Sequence, residues 1–328
     1  MTEFSVLVLN YNGSYEQLER TIRSIQLQKN IKAEIIICDD ASNNNAIPDI
    51  EAALLKQGDM EYTIVQNQTN QGTVKNILSG LRIAKGEYAK LIGAGDMLYR
   101  EDTLSEIKHF MEETNAQVCF GLTQGFRIRD NKLELCDSIS PRDVQAYRQM
   151  DETVILKNLL LTEDWISGAS IFARTEYYLK YISMLEDRVI YCEDWTSALS
   201  AIDHIYLKLF DRYAVWYEVG DGISTNINPG FRKKLVKDNQ EFWKICDAYA
   251  LDHGYTRKSA YISKRQRKKK LEHLDNVFIK NAYKSIVNPD MLIKEFQIQK
   301  QRKKKLHLPK TVEEGFLTEW KGIDYAGH

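Results

Sequence analysis

The residues of this chain whose types and spacing could do chemistry are paired carboxylates and glycines beside a carboxylate. Glu193-Asp194-Trp195 sets two acids beside a large aromatic, which can hold a general base against a sugar ring. Glu163-Asp164-Trp165 repeats that composition, and helix N-capping is the alternative for either copy. Asp39-Asp40-Ala41-Ser42 has the composition of a turn, in which Asp39 can cap the chain. Asp40 would face a ligand crevice and accept a hydrogen bond from a base N–H. In Gly93-Ala94-Gly95-Asp96 the glycines let backbone approach a bulky anion closely. Asp96 is a hard oxygen ligand suited to Mg²⁺ or Mn²⁺ on a diphosphate, and a tight turn is the alternative. Tyr11, between Asn10 and Asn12, can stack on a nucleobase or pack under a loop.

Other chemistries lack their residues. The six histidines form no metal-spaced pair, and no HxxxH or GxSxG occurs, which disfavours zinc enzymes and serine hydrolases. No GxxxxGK[ST] or GxGxxG supports a P-loop or a dinucleotide fingerprint. The five cysteines are scattered without a CxxC pair and read as reduced thiols.

The elements that must position these groups follow from periodicity. Phe4–Leu9, Glu34–Cys38, Tyr62–Gln66 and Tyr88–Ile92 are short apolar runs that read as buried strands. Between them, 14–28, 49–57 and 74–83 carry helical spacing, and Leu104, Ile107 and Met111 mark a further helix. Ser14 and Gln17 have the spacing of a capping box. The rhythm predicts an α/β fold with a mainly parallel, helix-covered sheet. In such sheets ligands sit at the carboxyl ends of the strands, where Asn10–Gly13, Asp39–Ser42, Asn67–Gly72 and Gly93–Asp96 all fall. Beyond them the pattern is less regular: 118–120 and 170–172 read as strands and 195–209 as a helix.

The chain has 328 residues, 43% hydrophobic and 28% charged, enough apolar material for a sizeable core. Its net charge of −1 hides an asymmetry. Residues 232–328 carry 23 Lys and Arg against 12 Asp and Glu, while residues 1–231 carry 22 against 34. We expect a domain over 1–228, divided into 1–100 and 101–228, and a basic helical C-terminal appendage over 229–328. The tail, with its runs Lys264–Lys270 and Arg302–Lys305, reads as a solvated helical face, a dimer interface or a dock for an anionic membrane surface. Nucleic acid is disfavoured, because the basic runs lack aromatic interleaving and the body is acidic. With no apolar run of membrane length and no basic region ahead of Phe4–Leu9, the expected location is cytoplasmic, peripheral at the inner membrane face if the tail docks.

Taken in order, these segments resemble family 2 glycosyltransferases of the GT-A fold. Ser5–Gly13 resembles the family's opening strand, and Leu18–Gln28 its first helix. Glu34–Ser42 is similar to the family's EIIVVDDGS segment. Asn70-Gln71-Gly72, Lys75-Asn76 and Ala84–Tyr88 are similar to its NxG, (R/K)N and AxGxY elements. The likeness is specific over about residues 4–100, weakens to Thr225 and is absent beyond.

The resemblance implies a role for each residue. Tyr11 would stack on the base of a nucleotide sugar, most readily uracil, framed by Leu9 and Asn10. Asp40 would contact the base and Lys75 lie near the diphosphate. Asp96 corresponds to the last Asp of the DxD-type motif and would hold Mn²⁺ or Mg²⁺, with Gly95 beside the ribose and metal. Asp194 would be the general base with Glu193 assisting its placement, in preference to Asp164. Gly220–Ser224 is similar to the GGxS loop that closes the catalytic domain. The chain departs from the family where Gly95 replaces a common Asp and where a His sometimes found just before the GGxS loop is not evident, with Glu218 or Asp221 as a substitute metal-side group. The implied activity is inverting transfer, of hexosyltransferase type, from a UDP-sugar to a glycan, lipid-linked saccharide or glycoprotein hydroxyl in bacterial surface polysaccharide synthesis. A nucleotidyltransferase and a non-catalytic nucleotide-sugar-binding module are the alternatives.

Overall fold

Alternation within the first strands decides the layers. Val6 and Val8 face one side of the sheet and Leu7 the other, and Ile35 and Ile37 are likewise opposed to Ile36 and Cys38. Both faces are apolar, so both must be covered, which is the condition of a parallel sheet between helices. In the computed structural model, which describes residues 1–129, 132–136, 140–220, 229–255 and 324–325, this is met. The strands β1 (Phe4–Asn10), β2 (Ala33–Asp39), β3 (Tyr62–Gln66) and β4 (Tyr88–Gly93) pair in parallel in the order β3-β2-β1-β4.

Helices α1 (Tyr15–Gln26), α2 (Ala46–Ile50, continued by a π-turn over Glu51–Leu55) and α3 (Thr73–Leu81) cross over between these strands. The Ser14–Gln17 capping box starts α1 and turns Leu18, Ile22 and Ile25 onto the sheet, each fully buried. Burial of that kind contributes about 2 kcal/mol per side chain. Gly86 lies against the Ser5 backbone with no room for a Cβ, and its N–H donates to Ser5 Oγ at 2.8 Å. Ser5 Oγ in turn donates to the buried Glu34 carboxylate at 2.6 Å, which also accepts Lys85 N–H at 2.7 Å. One buried acid thus ties the start of β1, the start of β2 and the approach to β4 together.

Beyond β4 the sheet turns antiparallel. A short β5 (Met97–Leu98) and α4 (Thr103–Glu113) lead into β6 (Val118–Arg129) and β7 (Lys132–Cys136). Two short helices, α5 (Val144–Arg148) and α6 (Glu152–Lys157), precede β8 (Ile171–Arg174) and α7 (Thr175–Ser183). Then come α8 (Thr196–Ile202), β9 (Lys208–Glu218), α9 (Pro229–Asp252) and β10 (Asp324–Tyr325). β8 joins β4 to β6 antiparallel, β6 carries β7 antiparallel and β9 parallel, and β9 returns to β5.

Two expectations change here. The strand read over 118–120 runs on to Arg129, and the helix read over 195–209 stops at Ile202. His204 adopts φ 59, with its N–H on Ala201 O at 3.1 Å and Ile205 N–H on Ser200 O at 2.8 Å. This is a Schellman closure, here without the usual glycine, and it frees 208–218 to be a strand. The basic runs Lys264–Lys270 and Arg302–Lys305, and Asp221–Ser224, lie outside the described residues. Among the described residues no helix is long and apolar enough to cross a membrane.

Candidate functional site

The β1, β2 and β4 ends lie side by side, with Asn10 in register with Asp39 and Leu9 with Gly93. Leu9 is partly buried among them, Asn10 is buried, and Tyr11 projects beyond, 56% exposed and available to a ligand. Asp39 holds the turn. It accepts Asn10 Nδ2 (2.7 Å), Ser42 Oγ (2.5 Å), Ser42 N–H (3.1 Å) and Gln66 Nε2 (3.0 Å). Asp40 faces the next loop and accepts Asn67 Nδ2 (2.9 Å), Gln71 N–H (2.9 Å) and Gly72 N–H (2.8 Å). Lys75, on the first turn of α3, pairs with Asp187 at 2.7 Å, both exposed.

The turn after β4 is built from small residues. Gly95 sits at φ +105, and a Cβ there would collide with the Glu218 carboxylate. Glu218, the last residue of β9, is held by Arg20 Nη2 at 2.8 Å and Gln17 Nε2 at 2.9 Å, both from α1. Asp96 is 7% exposed and spends Oδ1 on the Glu218 N–H at 2.9 Å. Burial pushes its carboxyl up to about 7. Counted as protein oxygens alone, the donor set is thin for a divalent ion. Asp96 is one carboxylate partly committed to β9, Glu218 is already neutralised by Arg20, and Gly93 and Gly95 offer no side-chain oxygen. No group of three or more His, Cys, Asp and Glu able to hold a metal ion occurs among the described residues.

The second acidic pair stands on a 3₁₀ turn, Glu193–Trp195, entered through Cys192 at φ 68. A non-glycine residue in this region is strained, and such strain collects at functional turns. Glu193 and Asp194 are partly buried over a cavity that Leu91, Gly168, Tyr177 and Tyr178 also line. Burial, then the Glu193 charge, push the Asp194 carboxyl well above the usual carboxylate range. The N–H groups of Asp194, Trp195 and Gly168 oppose that shift. Burial raises Glu193 as well. The other copy of the tripeptide has a different fate. Asp164 is 2% exposed and binds Arg142 N–H at 2.8 Å and Asp143 N–H at 2.9 Å, so it fastens a loop.

Three groups near the site escaped the sequence reading. Lys90 is fully buried in β4, over the Phe172 ring, and donates to the Ala169 and Ile171 carbonyls of the segment that carries Gly168. Burial brings its ammonium down to about 7. A lysine within the apolar run Tyr88–Ile92 was the available signal. Tyr191 and Asp238 left no local signal. Both depend on α9, whose Phe242, Trp243 and Cys246 enter the same core cluster as α3, α7 and α8.

Residues 5–171 match the profile described as glycosyl transferase family 2. The abequosyltransferase RfbV of Salmonella typhimurium is 25% identical over 191 residues, 56% of this chain and 53% of that protein. The glycosyltransferase GlyG of Streptococcus pneumoniae is 28% identical over 118 residues, 36% of this chain and 38% of that protein. The chain thus spans about half, or less, of the length of these curated relatives. Among solved structures, S. aureus TarS 1–349 in complex with UDP-GlcNAc aligns with a TM-score of 0.48 and 16% identity, over 89% of this chain and 81% of that one. The same protein in complex with UDP gives 0.46 and 16%, over 78% and 72%.

Proposed function

The chain belongs to glycosyl transferase family 2, and we propose that it transfers a sugar from a nucleotide diphosphate sugar, a UDP-sugar first, to an acceptor hydroxyl with inversion. Its helix-covered, mainly parallel sheet is the GT-A fold of that family. The observation that carries the proposal is the division of its acids. Asp39 and Asp40 are consumed in building the crevice at the β1–β2 ends, beside the exposed Tyr11. Asp194 is partly buried, and burial and then the Glu193 charge raise its carboxyl against three opposing N–H groups, which suits it to take a proton.

In this reading Tyr11 stacks on the base, Leu9 and Asn10 frame it, and Asp40 orders the loop that meets it. The acceptor oxygen attacks C1 of the sugar as the bond from C1 to the diphosphate oxygen breaks. The acceptor proton passes to the Asp194 carboxylate, and the nucleoside diphosphate leaves. A single in-line displacement inverts C1. Glu193 keeps Asp194 basic through its charge. Lys75 is the cation offered to the leaving diphosphate, since its exposed pairing with Asp187 is cheaply exchanged.

Family 2 enzymes commonly use a divalent metal, and Mn²⁺ or Mg²⁺ at Asp96 is the role that the sequence implies. The committed Asp96 and the Arg20-paired Glu218 are a thin donor set for such an ion, so no step is routed through it. The acceptor class proposed is a glycan or lipid-linked saccharide of surface polysaccharide synthesis, with the basic C-terminal region meeting an anionic membrane.

Calorimetric titration with UDP, GDP and CDP, in Mn²⁺ and in EDTA, tests this. We expect UDP to bind, with affinity in EDTA within about threefold of that in Mn²⁺. A loss beyond tenfold in EDTA would return Asp96 to the metal. Failure of a folded sample to bind any nucleotide would contradict the donor site and favour a non-catalytic module.

A further inference from the structure

Helix α9 and the turn that carries Glu193 and Asp194 both lie beyond the family-matched residues, and α9 grips that turn on both sides. Before the turn, Asp238 of α9 is 2% exposed and its Oδ2 accepts Ile190 N–H at 3.0 Å and Tyr191 N–H at 2.7 Å. After the turn, Trp195 stacks on Trp165 at 5.5 Å and meets Phe242 of α9 at 5.5 Å. Trp243 donates to Glu163 Oε1 at 3.2 Å and closes the same aromatic cluster.

The grip reaches the donor side as well. Ile190 O accepts Val74 N–H at 3.0 Å, on the first turn of α3. The Ile190 side chain fills the space that a Cβ on Gly72 would need. Gly72 N–H is one of the donors on Asp40. Tyr191 packs its ring on Phe231 of α9 at 5.0 Å, and burial, then the Asp238 and Asp40 carboxylates, raise its phenol. One carboxylate on α9 therefore holds the two peptide groups that join the base crevice to the acidic turn. Two N–H groups converging on one buried carboxylate oxygen form charge-assisted bonds, stronger than neutral ones.

We propose that Asp238 is a positioning residue, and that α9 is a latch setting the Tyr191–Asp194 turn in register with the base crevice. The proposal rests on the reading of Asp194 as the base. In the full chain, Asp238→Ala removes the acceptor, whereas Asp238→Asn keeps one oxygen able to receive both N–H groups. Amide exchange over 188–195 and 72–75 is measured by mass spectrometry. UDP release from UDP-glucose and UDP-GlcNAc gives kcat and KM.

We expect Asp238→Ala to speed exchange in both segments and to lower kcat by about 10- to 100-fold, with KM moving less than threefold. Asp238→Asn should restore both readouts to within about threefold of wild type. Phe231→Ala, a milder cut at a partly buried ring, should shift both in the same direction and serves if Asp238→Ala does not fold. Wild-type exchange in the folded variants overturns the latch. Faster exchange with unchanged kcat also overturns it, because Asp238 would then be structural only, as would a failure of Asp238→Asn to rescue. If the wild-type chain releases no UDP from either sugar, the functional reading falls instead, and the latch is judged on exchange alone.

Discussion

Asp39-Asp40 and Glu193-Asp194 are both adjacent acidic pairs, and their surroundings differ. Asp39 and Asp40 receive seven donated hydrogen bonds from the described residues, four and three respectively. They are spent on structure, and the structure they build is the crevice beside Tyr11. Glu193 and Asp194 are crowded together over a cavity with an aromatic cluster beyond, and both carboxyls are raised. Asp194 also meets three backbone N–H groups, so the pairs are separated by burial and the neighbouring Glu193 charge, which outweigh those donors and leave its carboxyl raised.

That comparison breaks most sharply at Asp194. Asp194→Asn should lower transfer by about 10²- to 10⁴-fold while the variant stays folded. Initial rates of UDP release check this, and wild-type turnover would remove Asp194 from the chemistry. The raised carboxyl also fixes the pH dependence. The base must be ionised, so the acid limb of kcat should lie well above the ordinary carboxylate pKa of about 4, with activity falling as pH drops through it. Glu193→Gln removes the neighbouring charge and should move that limb toward acid.

At the other pair the loss should appear as stability. Asp39→Ala strands four donors, two of them side-chain amides and one a hydroxyl, and should cost on the order of 3 kcal/mol in denaturant unfolding. The smallest effect is expected at Ala41, which sits at φ 62 where the resembled family carries glycine. Relief of left-handed strain should make Ala41→Gly neutral to about 1 kcal/mol stabilising, after the entropy that glycine adds to the unfolded chain. A lower melting temperature for Ala41→Gly would show that Ala41 is unstrained.

The donor half was legible in the sequence because its logic is local. The capping box and the strand ends each depend on residues at short, ordered spacings. The preference for Asp194 over Asp164 came from segment order; Asp164 is buried and held by the half-buried Arg142. The rest was illegible because its partners are distant in sequence. Glu218 finds Arg20 across 198 residues, Trp243 finds Glu163 across 80, and Asp238 finds Tyr191 across 47. None of these pairs has a motif. The helix read over 195–209 overruns α8 because His204, and no glycine, ends that helix.

The division of labour between the pairs is tested most directly by titrating UDP into Asp40→Asn and Asp194→Asn side by side with wild type. An amide at residue 40 cannot accept all three of its present donors, so the account predicts at least about tenfold weaker UDP binding there. It predicts binding within about threefold of wild type for Asp194→Asn. Intact binding in Asp40→Asn, with binding lost in Asp194→Asn, would contradict the assignment of crevice to one pair and proton transfer to the other.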